Sequence, residues 1–333
     1  MRIGVTYDLR ADYLAMGMSE EDSAEFDAEV TISAIVSALA SLGHDPVRVG
    51  NVRALTERLA AGERWDGVFN ICEGLSGYGR EAQVPGLLDA YGVPHVFSDA
   101  LTLALCLDKA WTKSIVRTAG VPTPDFATIE RPADIAWLTL PFPLFLKPVA
   151  EGSGKGVDAR SKVSKSAELK SVATELLARF RQPVLVETYL PGREFTVGIV
   201  GTGDEERPLG GMEIIRSKHA ATVDYGLENK DNCAENIVYR LIDDMEAREA
   251  ADVALRAWRA LRCRDGGRID IRSDGKGRPH FIEVNPLAGL NPEHSDLCFI
   301  ARFAGLAYQE LIGLIMSSFL KRHPELASRR AAA

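Results

Sequence analysis

Two runs, Gly267-Arg268-Ile269-Asp270-Ile271-Arg272 and His280-Phe281-Ile282-Glu283-Val284-Asn285, alternate apolar with charged or polar residues around Ser273-Asp274-Gly275-Lys276-Gly277. Period-two patterning on both sides of turn-forming residues predicts an antiparallel hairpin. With the turn centred between Lys276 and Gly277, Asp270 falls opposite Glu283 and Arg268 opposite Asn285, with Cβ atoms about 5 Å apart. Directly opposed carboxylates repel, so a cation belongs between them. Oxygen ligands, two of them acidic, suit Mg²⁺ or Mn²⁺, which keep several waters and take further ligands from phosphate groups. The plain alternative is a surface hairpin with solvated acids. The pattern's continuation through Asn285-Pro286-Leu287-Ala288-Gly289 weighs against it.

A chain of 333 residues calls for two or three domains. Its hydrophobic content of 46% and charged content of 26% are those of a soluble globular protein. A net charge of -8 and the lack of a basic stripe speak against nucleic acid as a partner. Five cysteines, widely spaced and without a Cys-x-x-Cys pair, suggest neither a disulfide framework nor a zinc site, and fit a reducing cytoplasm. Met1 to Thr6 opens as a strand without signal-peptide character. Leu297 to Met316, the longest apolar region, is interrupted by Arg302, Gln309 and Glu310; it reads as one amphipathic helix, not a membrane span.

The first hundred residues alternate strand and helix: Ile3 to Tyr7, a helix over Asp27 to Leu42, Asp66 to Ile71, a helix over Ala82 to Tyr91, and a strand over Pro94 to Phe97. Such alternation predicts a small parallel sheet covered by helices. Ser98 or Asp99 can cap the helical segment from Leu101 to Ala119, which breaks at Gly120-Val121-Pro122-Thr123-Pro124. Leu144 to Val149 and Val184 to Thr188 read as strands, Ser166 to Phe180 and Ala247 to Arg262 as helices. The fold class is therefore α/β, with α+β character in the later part.

Lys109 follows Asp108, and Lys147 lies inside an apolar strand. An unpaired buried ammonium is costly, so each needs an anionic partner, either a structural carboxylate or a bound phosphate. Glu151-Gly152-Ser153-Gly154-Lys155-Gly156-Val157 follows closely, and its glycines let backbone N–H groups approach a phosphate. It is not a Walker A loop, since Gly156 stands where Ser or Thr is required and position 149 is not glycine. Gly74-Leu75-Ser76-Gly77-Tyr78 likewise lacks the final glycine of a nucleophile elbow.

Taken together, Arg268-x-Asp270, Glu283-x-Asn285 and the glycine turn resemble the ATP-grasp ligases, and within them the D-alanine:D-alanine ligase group, over nearly the whole chain. The resemblance implies an ATP-grasp fold with an N-terminal Rossmann-like domain at 1–98, a central unit at 99–190 and a C-terminal unit at 191–333, the nucleotide lying between the last two. It implies ATP and Mg²⁺ (or Mn²⁺) as cofactors, with Asp270, Glu283 and Asn285 on the metal. Lys109, Lys147, Glu151, Gly152, Ser153 and Gly154 would surround the ATP phosphates, Glu187 and Leu190 the adenine, and Glu194 the ribose. Lys230, in Asp224-Tyr225-Gly226-Leu227-Glu228-Asn229-Lys230, aligns with a lid lysine that reaches the γ-phosphate; an ordinary surface loop reads the same way. A cytoplasmic homodimer acting on small-molecule substrates, apart from any membrane, is also implied.

The activity implied is ATP-dependent joining of a carboxylate to an amine through an acyl phosphate. Arg268, Gly289 and Ser295 would bind the second amino acid's carboxylate, with Arg268 also stabilising developing negative charge; a helix-capping role for His294 and Ser295 is the alternative. Departures fall on the amino-acid side. Asp27 stands where the family has a glutamate for the first substrate's ammonium, with Glu25 a second candidate, and Glu73-Gly74 replaces the family's His-Gly. Other readings are a ligase of secondary metabolism acting on another amino-acid derivative, and a nucleotide-binding sensor that has lost catalysis.

Overall fold

The N-terminal alternation builds a three-stranded parallel sheet ordered β2-β1-β3, from β1 (Arg2–Tyr7), β2 (Asp45–Gly50) and β3 (Gly67–Ile71). The computed structural model describes residues 1–152, 154–216, 237–241 and 243–326. α1 (Arg10–Ala15), α2 (Glu29–Ser41), α3 (Val52–Ala60) and α4 (Gln83–Ala90) accompany the sheet. α2 buries Ile32, Ile35 and Leu39, spaced as one helical face. β2 was not among the strands expected from the sequence; it carries Pro46 at the sheet edge, where a residue with no N–H to donate is tolerated.

Pro94 to Phe97 does not form the expected strand. One bridge, His95 to Val68, is all that pairs, and Phe97 leaves the ladder with φ +72° while its N–H donates to Asp265 at 2.8 Å. The expected continuous helical segment is also divided, into α5 (Ala100–Leu107) and α6 (Lys109–Thr118). Asp99 caps the first through Thr102, and Asp108, in extended conformation, caps the second through Ala110 and Trp111. A side-chain cap contributes about 1 kcal/mol. The consequence is positional, since Lys109 becomes the first residue of a helix and its N–H donates to Val149 O at 3.1 Å.

A second sheet, β4-β7-β5-β6, is antiparallel, from β4 (Phe126–Ile129), β5 (Leu144–Pro148), β6 (Lys162–Val163) and β7 (Val184–Thr188). α7 (Ser166–Phe180) covers it with Leu169, Ala173 and Leu176. The third sheet, β10-β9-β8-β11-β12, contains β8 (Glu194–Val200), β9 (Arg207–Arg216), β10 (Ile237–Leu241), β11 (Gly266–Ser273) and β12 (Pro279–Asn285). Its strands are antiparallel, and α8 (Met245–Ala260) packs Trp258 and its neighbours against Phe195, Ile269 and Phe281.

The single C-terminal helix expected over Leu297 to Met316 is two, α9 (Asp296–Phe303) and α10 (Tyr308–Arg322), bent by 105° around Gly305 at φ +81°. No single helix among the described residues is long and apolar enough to cross a membrane. Both helices are amphipathic and bury their apolar residues in a core that also takes in Ile3, Val5, Ile35 and Leu39 from the first sheet and Val200 and Met212 from the third. That shared core holds the first and third sheets together and leaves a gap facing the second.

Candidate active site

Along the β11–β12 ladder Asp270 pairs with Glu283 and Arg268 with Asn285, as alternation predicts. The route differs. Ser273 to Ile271 pair with Pro279 to Phe281 about a turn centred on Lys276, and a β-bulge then inserts Ile282. The extra residue lets consecutive Ile282 and Glu283 both face the site, while Phe281 and Val284 remain buried beneath.

The opposed carboxylates are treated differently by their surroundings. Burial raises the Asp270 carboxyl to about 6, against the pull of Arg268 and with the push of Glu283. Arg268 reaches both Asp270 oxygens at 2.9 Å and Asp296 at 3.1 Å. Glu283 meets the same burial, yet Lys147 at 3.0 Å and nearby Lys109 hold its carboxyl well below the usual range. Lys147, on β5, also lies 3.6 Å from Glu187 on β7. Asn285 completes this edge of the ladder, with a buried Nδ2 that has no hydrogen-bond partner among the described residues.

Glu187 has a further partner that sequence reasoning missed. Lys113, wholly buried on α6, forms an ion pair with it and donates to Thr123 Oγ1 at 3.2 Å. Burial pushes the Lys113 ammonium down to about 8 although Glu187 pulls it up. The available signal was spacing, because Lys109 and Lys113 stand four apart on one helical face. Asp296 was missed as well; it is buried at the start of α9 and anchors Arg268.

Asp270, Glu283, Arg268, Lys147 and Glu187 line a cleft of about 950 Å³, open solvent included, between the second and third sheets. Lys109, Lys147, Glu151, Gly154, Glu187, Leu190 and Glu194 all border it. Lys109 donates its Nζ to Glu151 O in the glycine-rich loop. Gly156 shapes that loop with φ +72°, and a Cβ there would lie 2.6 Å from Pro148 Cγ. Ser153 and Lys230 lie outside the described residues. At the far end Arg272 stands 3.7 Å from Glu194, donates to Tyr189 Oη at 3.2 Å and covers its ring. Neither Tyr189 nor Arg272 was singled out in the sequence.

A second cavity, about 1780 Å³ with open solvent included, lies between the first and third sheets and is bordered by Asp27, Glu73, Asn285, Gly289 and Ser295. Gly152 lines this cavity, and its N–H donates to Glu25 at 2.9 Å. Glu25 also binds Arg80 at 2.6 Å, and despite burial these partners and Lys155 lower its carboxyl. A Cβ on Gly289 would come within 2.8 Å of Ser295 Oγ. That hydroxyl accepts from the Asn291 N–H at 2.8 Å and makes no cap to α9, so Ser295 holds the N-cap position without the capping bond. Asp27 is raised to about 7 by burial and by Asp8, with Thr31 opposing. Lys109, Glu151, Arg268 and Glu283 stand in the walls of both cavities.

The family described as D-ala D-ala ligase C-terminus matches residues 115–317. A D-alanine--D-alanine ligase of Xylella fastidiosa is 33% identical over 294 residues, covering 86% of this chain and 92% of that one. The chain belongs to the D-alanine--D-alanine ligase family. As a member of this ATP-grasp family it is an ATP-dependent ligase that forms carbon–nitrogen bonds. The fold of the family is seen in the ATP complex of the Bacillus anthracis D-alanine--D-alanine ligase, at TM-score 0.72 and 23% identity, covering 98% of this chain and 99% of that one. The VanG D-Ala:D-Ser ligase of Enterococcus faecalis has the same fold, at TM-score 0.72 and 21% identity over 96% of this chain and 99% of that one.

Proposed function

We propose that this family member joins two amino acids, or an amino acid and a related amine, by the reaction for which D-alanine--D-alanine ligases are named. The observation that carries the reading is the junction of two cavities at Lys109, Glu151, Arg268 and Glu283. A nucleotide in one and a carboxylate in the other would bring phosphorus and attacking oxygen together there, which is the positioning that phosphoryl transfer needs. The substrate carboxylate takes the γ-phosphoryl group and ADP leaves; the amine then attacks the acyl carbon, and phosphate departs as the amide forms.

Each side chain has a role in this reading. Lys109 and Lys147 neutralise phosphate charge, with Glu187 and Lys113 keeping Lys147 in place, while Glu151, Gly152, Ser153 and Gly154 cover the phosphates. Leu190 and Glu187 border the adenine and Glu194 the ribose. Arg268, Gly289 and Ser295 receive the second substrate's carboxylate, Asp27 the first substrate's ammonium, and Glu73 lies beside it. Lys230 belongs to the same proposal as a γ-phosphate ligand.

Asp270, Glu283 and Asn285 fit a hard divalent cation. Two oxygen acids face each other, Asp270 raised by burial and by Glu283 although Arg268 pulls it down, and the Asn285 side-chain amide offers an oxygen beside them. Among the described residues no three His, Cys, Asp or Glu side chains gather into a metal cage, so the remaining ligands would be phosphate oxygens and water. Mg²⁺ or Mn²⁺ bound there would draw charge from the transferring phosphoryl group. The same reading keeps units at 1–98, 99–190 and 191–333, each holding one sheet, in a cytoplasmic homodimer.

The test is phosphate release from Mg-ATP with purified protein and a panel of D- and L-amino acids, with mass spectrometry of the products. Amino-acid-dependent release with an amide product supports the reading. Failure of every substrate to release phosphate, with ATP still bound, would remove it.

A further inference from the structure

The second cavity has more negative charge than its own cations neutralise. Of the bases in its wall, Arg80 binds Glu25, Arg268 binds Asp270 and Asp296, Arg10 binds Glu20, and Lys109 donates to Glu151 O. Glu73 and Glu81 face the same cavity, and neither side chain has a hydrogen bond or ion pair among the described residues. Glu81 is 9% exposed, and the little surface it keeps belongs to the cavity wall. A carboxylate taken from water without a partner costs several kcal/mol or stays protonated, so two of them on one wall need explaining.

We propose that Glu73 and Glu81 receive a second positive charge on the substrate, so that the amino acid held in this cavity carries an ammonium or guanidinium side chain. The inference rests on the ligase reading above and narrows its substrate class. One ammonium, the α-amino group, goes to Asp27. A neutral side chain such as a methyl group would leave Glu73 and Glu81 without a charged partner. A side-chain cation between them relieves their mutual repulsion and gains charge-assisted hydrogen bonds. Burial, then repulsion from Glu81, holds the Glu73 carboxyl well above its ordinary range, and burial puts Glu81 at about 7, with Glu25 pushing up and Arg80 and Lys109 pulling down. Arg80 is shared among Glu25, Glu81 and Glu73, three acids around one guanidinium that hydrogen-bonds to Glu25. The cavity, about 1780 Å³ with open solvent included, has room for such a side chain.

The experiment compares phosphate release with alanine, serine, 2,3-diaminopropionate, ornithine, lysine and arginine, each in both hands, using the wild type and the Glu73→Gln, Glu81→Gln and Glu73→His variants. Thermal melting and affinity for a non-hydrolysable ATP analogue establish that each variant is folded and binds nucleotide. The expected result is a kcat/KM about tenfold or more higher for a cationic amino acid than for alanine. Each Gln variant should lose that preference through KM, and Glu73→His should move it toward alanine. Equal or better use of alanine or serine by the wild type, or selectivity unmoved in all three variants, overturns the inference and leaves the ligase. Release with no amino acid, the analogue still binding, overturns the ligase reading and this inference with it.

Discussion

Asp270 stands directly opposite Glu283 across the β11–β12 ladder, and the pairing depends on a bulge at Ile282. Like charges directly opposed across a ladder destabilise it. Their positions are enforced by core residues on the other face, Ile269 and Phe281, both fully buried. The strain of that opposition is part of what a cation would relieve.

Substituting Asp270 by Asn removes one of the opposed charges. Turnover should fall by ~10²-fold or more, as expected for loss of a group that stabilises transition-state charge. Melting temperature should stay level or rise, because repulsion with Glu283 is gone. Phosphate release and thermal melting read the two effects separately; a fall in both would mean that Asp270 is chiefly structural.

Lys113 and Glu187 form a fully desolvated pair. Removing Lys113 leaves Glu187 with the longer contact to Lys147 at 3.6 Å, so Lys113→Met should cost about 3 kcal/mol in urea unfolding. A double variant, Lys113→Met with Glu187→Leu, should recover a large part of that loss. Additive losses in the double-mutant cycle would refute the coupling.

The pH dependence of stability separates two kinds of acid. Asp27 has a folded value of about 7, above its unfolded one, so the folded state binds the extra proton between about 4 and 7. Stability from this group is greatest below about 4 and declines as pH rises to 7. Asp27→Asn should therefore gain on the wild type as pH climbs through that window, measured by melting at intervals from pH 4 to 8. Glu283 acts in the opposite sense. Its depressed carboxyl contributes stability above its unfolded value, lost as pH falls toward the folded one.

Gly156 cannot take a side chain cheaply. With φ +72° and Pro148 Cγ 2.6 Å from the added Cβ, Gly156→Ala should cost about 1–3 kcal/mol of local strain and move the loop. KM for ATP should rise while KM for amino acids holds. An unchanged KM for ATP would separate this loop from nucleotide binding.

Asp296→Asn weakens the hold on Arg268 without touching the cleft acids. Arg268 keeps its contacts with Asp270, and KM for the amine-donating substrate should rise several-fold with a smaller change in KM for ATP. Initial-rate kinetics with each substrate varied in turn would show the difference.

Local pattern carried much of this fold. Ser166–Phe180 forms the helix that its periodicity predicts, with one face in a single core, and Val184–Thr188 forms the strand that its short apolar run predicts, buried on both faces. Local pattern failed where one residue changed the chain's course. Asp108 divides a long helical segment by capping its second half, and Gly305 divides another. Lys113 was missed for a different reason: spacing puts it on the helical face of Lys109, but its partner Glu187 lies on another element.

The sequence by itself determined the set of charged groups, the pairing of Asp270 with Glu283 and the glycine-rich loop beside Lys147, because these depend on period, turn chemistry and near neighbours. Only the tertiary structure decided which charges are satisfied. Arg268, Lys147 and Lys113 find carboxylates, while Glu73 and Glu81 face a cavity with no ion-pair partner among the described residues. The physical reason is that the cost of a charge depends on how much water it has lost and on what stands within a few ångströms. Both are set by the packing of three sheets against one another.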